Sequence, residues 1–172
     1  MSERRTRPNE RVTAYHEAGH AVMAYASHRR FQYVTITPNK EYDGCLMPTA
    51  LPNFHPDYET DRRTIAYINR EIMVLLGGPI VEGLLTGEAH ISESEDCQQA
   101  VGLAEYVTGS PEEAGTHVDR LWTLTRGILA SQPWRACVEA LAAALLEQHQ
   151  ISWWKARQII REAQGQSDPV AV

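Results

Sequence analysis

The stretch TAYHEAGHAVMAYA, residues 13–26, sets two histidines four positions apart with a glutamate directly after the first. Apolar Val12, Tyr15, Ala18, Val22 and Tyr25 recur around it at helical spacing, so it reads as part of a helix from about Asn9 to about His28. Four residues of α-helix turn through roughly 400° and rise about 6 Å, which puts His16 and His20 on one face, one turn apart. Two imidazoles so placed can occupy two corners of a tetrahedral zinc site. Glu17 lies about 100° further round, beside such a metal rather than on it. From there its carboxylate can take a proton from a metal-activated water and deliver it to a leaving amine, chemistry suited to amide hydrolysis. The bland alternative is a histidine pair on an exposed helix face. The apolar neighbours argue against it, because two unpartnered imidazoles among them would cost stability.

A zinc site needs a third protein ligand. The extended pattern H-E-x-x-H-x-x-G-x-x-H is excluded, since Met23 and Ala26 stand where its glycine and third histidine belong. Glu41 falls in an expected turn and is a poor candidate. Glu82, on a long helix, and Asp96, opening a later one after HISESE, both remain open.

The chain of 172 residues fits one domain with a core of its own. With 43% apolar and 22% charged residues it reads as globular rather than disordered. A net charge of −6 argues against nucleic-acid partners and against docking on anionic lipid. No run of about 18 apolar residues is seen, so no membrane association is expected. The charged start MSERRTRPNER leads into no apolar region, so no signal peptide is expected either. Cys45, Cys97 and Cys137 are odd in number and far apart, which suits reduced thiols and a cytoplasmic setting.

After the first helix, RFQYVTIT and then EYDGCLMP read as two short antiparallel strands, the second edge-like because of Pro48 and Pro52. LPNFHPDYETD reads as a loop. A long helix is expected from near Thr60 to Thr86-Gly87. Its Gly77-Gly78-Pro79 cluster is costly, at about 1 kcal/mol per glycine and 3 for proline, so it marks a kink or a close backbone approach, with a loop between two helices as the lesser alternative. Further helices are expected at EDCQQAVGLAEYVTG, capped by Ser92 or Ser94, at PEEAGTHVDRLWTLTRGILAS, at PWRACVEALAAALLEQHQ, and at WWKARQIIREA, capped by Ser152. The expected architecture is mainly α (α+β), with a small sheet near the N-terminus. Residues 1–8 and 165–172 are expected to be flexible, flanking one domain over 9–164. His28, His55, His90, His117 and His149 read as capping or solvated residues. Trp122, Trp134, Trp153 and Trp154 read as packing, the last two also as a contact patch.

ERVTAYHEAGHAVMAY resembles the active-site helix of the peptidase domain of FtsH, the ATP-dependent membrane zinc protease. YVTITP followed by GCLMP resembles the strand pair after that helix, VLLGGPIVEGLLTG its Gly-Gly helix, and SESEDCQQAVGLA the segment carrying its aspartate ligand. The resemblance covers about Glu10 to Val107 and weakens after that. It implies a helical, zincin-like peptidase domain binding one zinc per chain through His16, His20 and Asp96, with Glu17 as catalytic base. It also implies that the Gly-Gly helix packs on the zinc-bearing helix. Glu82 matches a glutamate on that helix, where it could orient a ligand imidazole. Glu95 and Cys97 depart from the family pattern on either side of Asp96, Cys97 reading as a small buried thiol. No phosphate-cradling G-x-x-x-x-G-K-[ST] loop is present and only some ten residues, about half of them charged, precede the first helix, so the expectation is ATP-independent cleavage of unfolded or flexible polypeptides. Substrate would add as a strand along Gly44, Cys45, Leu46 and Met47. A zinc-containing peptide-binding or adaptor module is the alternative. A separate ATPase partner and a homo-oligomer are both compatible with the resemblance.

Overall fold

In a computed structural model, residues 9–49, 61–87 and 94–166 are described. Within them are six helices and a three-stranded antiparallel sheet that packs on the first and the last two of them. The chain enters through α1 (Glu10–Ala26), β1 (Phe31–Thr35) and β2 (Cys45–Pro48). It continues with α2 (Arg62–Thr86), α3 (Glu95–Ala104), α4 (Pro111–Ala130) and α5 (Trp134–Gln148), then ends in β3 (Gln150–Ser152) and α6 (Trp153–Ala163).

Five of the six helix starts have a side-chain cap. Asn9, Asp61, Ser94, Ser110 and Ser152 each accept a first-turn backbone N–H with a side-chain oxygen, replacing a bond the helix cannot make internally. Asp61 is therefore the cap of α2, which starts at Arg62 rather than near Thr60, and Ser94, not Ser92, is the cap of α3. Helix α1 ends at Ala26, two residues earlier than expected. His28 lies beyond it in a left-handed conformation at φ 58°, so it does not sit in the last turn.

The core is centred on α1, whose Ala14, Ala18, Ala21 and Val22 are fully buried and which packs chiefly on α2 and α5. Small residues on α1 let α2 come close, and Gly77-Gly78-Pro79 is where it does so. A Cβ on Gly19 would overlap the carbonyl oxygen of Gly77, and one on Gly77 would lie 2.6 Å from the oxygen of Gly19. The cluster thus marks a close backbone approach inside one continuous helix, and the loop alternative is not what forms. Helix α2 is long and apolar enough on composition alone to cross a bilayer. In this fold 56% of that apolar stretch is buried, Ile72 and Leu76 completely, and the helix packs against α1, α3 and α4.

The sheet has the order β2-β1-β3, with β1 in the middle. Val34 pairs with Leu46 on one side and Ile151 on the other. The third strand comes from the far end of the chain and was not expected. The His149 carbonyl secures it by accepting from the Ile36 N–H at 2.8 Å and the Thr35 hydroxyl at 3.0 Å. This leaves β2 as an edge strand beside the N-terminal half of α1. The expected proline-rich loop, with His55, and the segment holding His90 and Ser92 lie outside the described residues, as do residues 1–8 and most of the expected tail.

Candidate metal centre and catalytic site

Helix α1 presents His16 and His20 towards α2 and α3. His20 donates its Nδ1 hydrogen to the Val74 carbonyl on α2 at 2.8 Å, and His16 Nδ1 donates to Glu82 Oε2 at 2.8 Å. With both Nδ1 atoms committed as donors, each Nε2 presents a lone pair. Those two nitrogens lie 3.0 Å apart. Asp96 Oδ2, from the first turn of α3, lies 3.1 Å from His16 Nε2 and 3.5 Å from His20 Nε2. Three electron-rich atoms at such separations require a positive charge among them. Ligands 2.0–2.2 Å from a tetrahedral zinc stand roughly 3.3 Å apart, so the triangle has the dimensions of one zinc-ligand face.

The surroundings fit the same ion. A Cβ on Gly78 would overlap His20 Nε2 and lie 2.6 Å from His16 Nε2, so the space beside both nitrogens exists because residue 78 has no side chain. Without metal, a proton on His16 fills the electrostatic role. Burial opposes that charge, but the hydrogen bonds to Asp96 and Glu82 outweigh it and raise the His16 pKa from 6.5 to about 10. Burial also disfavours the Asp96 carboxylate, yet the two histidines overcome this and hold its pKa well below the usual range. The first turn of α3 adds a favourable helix-dipole contribution.

Glu17 is only 5% exposed, and its Oε2 has no hydrogen-bond partner. Burial pushes its pKa up, partly offset by His20 and His16. A buried carboxylate oxygen without a partner, beside a metal face, is poised to accept a proton from water. Gly44, which precedes β2, presses on this side chain, since a Cβ there would lie 2.7 Å from Glu17 Oε1. Both groups open into a cleft of about 740 Å³ whose walls include Thr13, Gly44, Cys45, Leu46, Glu82 and Asp96. Met47 is not among the lining residues, whereas Pro48 is.

Cys97 stays out of the cluster as a buried thiol, and exposed Glu95 bonds Gln99 at 3.3 Å instead of crowding the ligands. His117 pairs with Asn69 at 2.7 Å and His149 with Glu10 at 3.0 Å, each away from the site. Sequence reasoning missed the Val74 carbonyl, the role of Gly78 and the Arg29–Glu71 ion pair at the cleft wall. A backbone acceptor carries no residue signature. Gly78 was visible only as half of an expensive glycine pair.

Residues 4–109 match peptidase family M41. The chain belongs to that family. The matched stretch contains His16, Glu17, His20, Glu82 and Asp96 and ends before α4. Among curated relatives, an ATP-dependent zinc metalloprotease FtsH from Methylibium petroleiphilum is 40% identical over 97 residues, 55% of this chain and 15% of the relative. Those of Syntrophus aciditrophicus and Veillonella parvula are 34% identical over 97 residues and 32% over 112, covering 55% and 62% of this chain. The chain spans only 12% and 16% of the length of those two.

Proposed function

We propose that this M41 chain is a zinc-dependent endopeptidase, with His16, His20 and Asp96 holding one zinc and Glu17 acting as proton shuttle. The observation that carries the reading is the pairing of a face of three metal-ready atoms at 3.0–3.5 Å with an unpartnered, buried Oε2 on the adjacent residue. When bound, zinc supplies Lewis acidity that polarises a peptide carbonyl and acidifies water. Glu17 takes the proton from the attacking water and hands it to the departing nitrogen. Glu82 and the Val74 carbonyl hold the two imidazoles in the tautomer that turns Nε2 inward. Edge strand β2 offers backbone groups to an extended substrate at Gly44, Cys45 and Leu46. An extended substrate means an unfolded or flexible one, so we infer cleavage of such chains without ATP, with a separate ATPase partner and ring assembly as further arrangements to test. Three free cysteines suit a cytoplasmic setting.

The deciding experiment compares wild type and Glu17→Gln on casein, with metal analysis of both. Cleavage by wild type and none by the variant, at one zinc per chain in each, is expected. Cleavage retained in Glu17→Gln would remove Glu17 from the chemistry. Metal-loaded wild type that binds peptides without cutting them would favour an adaptor.

A further inference from the structure

Away from the metal, the cleft runs past β2 to Arg30. Arg30 also lines a second cavity of about 510 Å³, walled by Tyr25, Trp134, Trp153 and Trp154 and bordered by Arg157. Part of this aromatic cluster is plain packing: Trp153 meets Phe31 edge-on at 5.1 Å and Tyr25 at 6.1 Å. Trp154 is different, being 64% exposed. The guanidinium centres of Arg30 and Arg157 lie 6.0 Å and 5.9 Å from its ring. Among the described residues neither arginine forms an ion pair, although the chain carries a net charge of −6. Two guanidinium groups that line one cavity beside an exposed indole, neither of them neutralised by an ion pair, offer donors to a bound carboxylate. The aromatic walls suit a ring or apolar side chain beside it.

The sheet gives this cavity a place relative to the bond cut. Gly44 touches Glu17 at one end of β2. At the other end Pro48 pairs with Phe31, and the Thr49 hydroxyl donates to the Arg30 carbonyl at 3.2 Å. Every pairing in the sheet is antiparallel. A peptide added to β2 in the same sense runs from Arg30 towards Glu17. The strand is four residues long, so at about 3.3 Å per residue the substrate passes Pro48 roughly four residues before the bond, and about three more carry it across the ends of β2 and β1 to Arg30.

We propose that the Trp154 cavity is a docking pocket of the cleft that captures an acidic, aromatic segment of a polypeptide substrate, about six to eight residues N-terminal to the bond cut. Its location along the substrate rests on the peptidase reading above; its ligand chemistry does not. The probes are two peptides identical around the scissile bond, one with Glu-Trp-Glu placed upstream and one with Gln-Trp-Gln. With zinc-loaded wild type, the acidic peptide is expected to show about a five- to tenfold higher kcat/KM, through KM. The advantage shrinks in high salt and is lost in the Arg30→Gln/Arg157→Gln double variant. Moving the acidic segment downstream should remove it as well. Anisotropy titration of both peptides onto Glu17→Gln reads the pocket without turnover. Preferential binding there that the arginine substitutions abolish supports the pocket even if wild type cuts neither peptide. Equal binding of the two, or a preference the double variant keeps, overturns the pocket even if both peptides are cut. Trp154→Ala, at an exposed position, should weaken both peptides alike, and unaltered binding in it would also count against the pocket.

Discussion

At Gly78 a missing side chain is what the site requires. A methyl group there collides with both Nε2 atoms, so Gly78→Ala is expected to lose zinc stoichiometry while keeping a native far-UV circular dichroism spectrum. Full zinc occupancy in that variant would contradict the geometry. Glu82 acts one bond further out, holding His16 Nδ1 at 2.8 Å, and Glu82→Gln should weaken zinc binding about 10- to 100-fold in a chelator competition. Protons compete for the same face. His16 keeps its proton up to about pH 10 without metal, so binding a cation below that pH must displace it. Apparent zinc affinity should therefore fall as pH falls, by about tenfold per unit for that one proton. Competition titrations between pH 6.5 and 8.5 will check this, and a flat profile would mean that His16 is not displaced. The histidine pair and Glu17 were legible in the sequence because helical periodicity alone determines their relative placement. Choosing Asp96 over Glu82 was not legible from spacing: both are acids on later helices, and only the fold shows one at Nε2 and the other at Nδ1 of the same ring.

At the scale of elements, the α1–α2 contact decides whether the site is assembled. Gly77→Ala should improve intrinsic helix propensity by roughly 1 kcal/mol. The added methyl must nevertheless push against the backbone of Gly19, and such overpacking costs about 1–3 kcal/mol. Separating the helices also loosens the His20–Val74 hydrogen bond. The packing effect is expected to win, lowering Tm by several degrees in calorimetry; a Tm unchanged or raised would show that α2 can shift without cost. The sequence flagged this cluster through its propensity penalty, but a penalty does not say what it compensates. The strand β3 shows the opposite limit. Gln150–Ser152 is too short for periodicity to register, and it exists because β1 offers it a hydrogen-bonding edge.

For the whole molecule, a metal held at the proposed site would join residues far apart in the chain. His16 and His20 come from the first helix and Asp96 from the third, so a cation that binds only the folded arrangement stabilises all of it. At free zinc 1,000 times its dissociation constant the gain is about 4 kcal/mol, or on the order of 10 °C in Tm for a domain of this size. A chelator should lower Tm by a comparable amount, and Asp96→Asn should make the melting curve insensitive to it. Insensitivity in the wild type would show that the three ligands do not act as one site.

The sequence by itself determined what depends on neighbours within a few residues: the shared face of His16 and His20, the place of Glu17 beside it, and the mainly helical class. Only the tertiary structure decided which carboxylate lies at the two Nε2 atoms, why residues 77 and 78 lack side chains, and how Arg30 and Arg157 come to flank one indole. The reason is physical. Local periodicity is set by backbone geometry, which repeats identically in every helix. Long-range juxtaposition is set by how particular side chains fill space between elements, and that has no period to read.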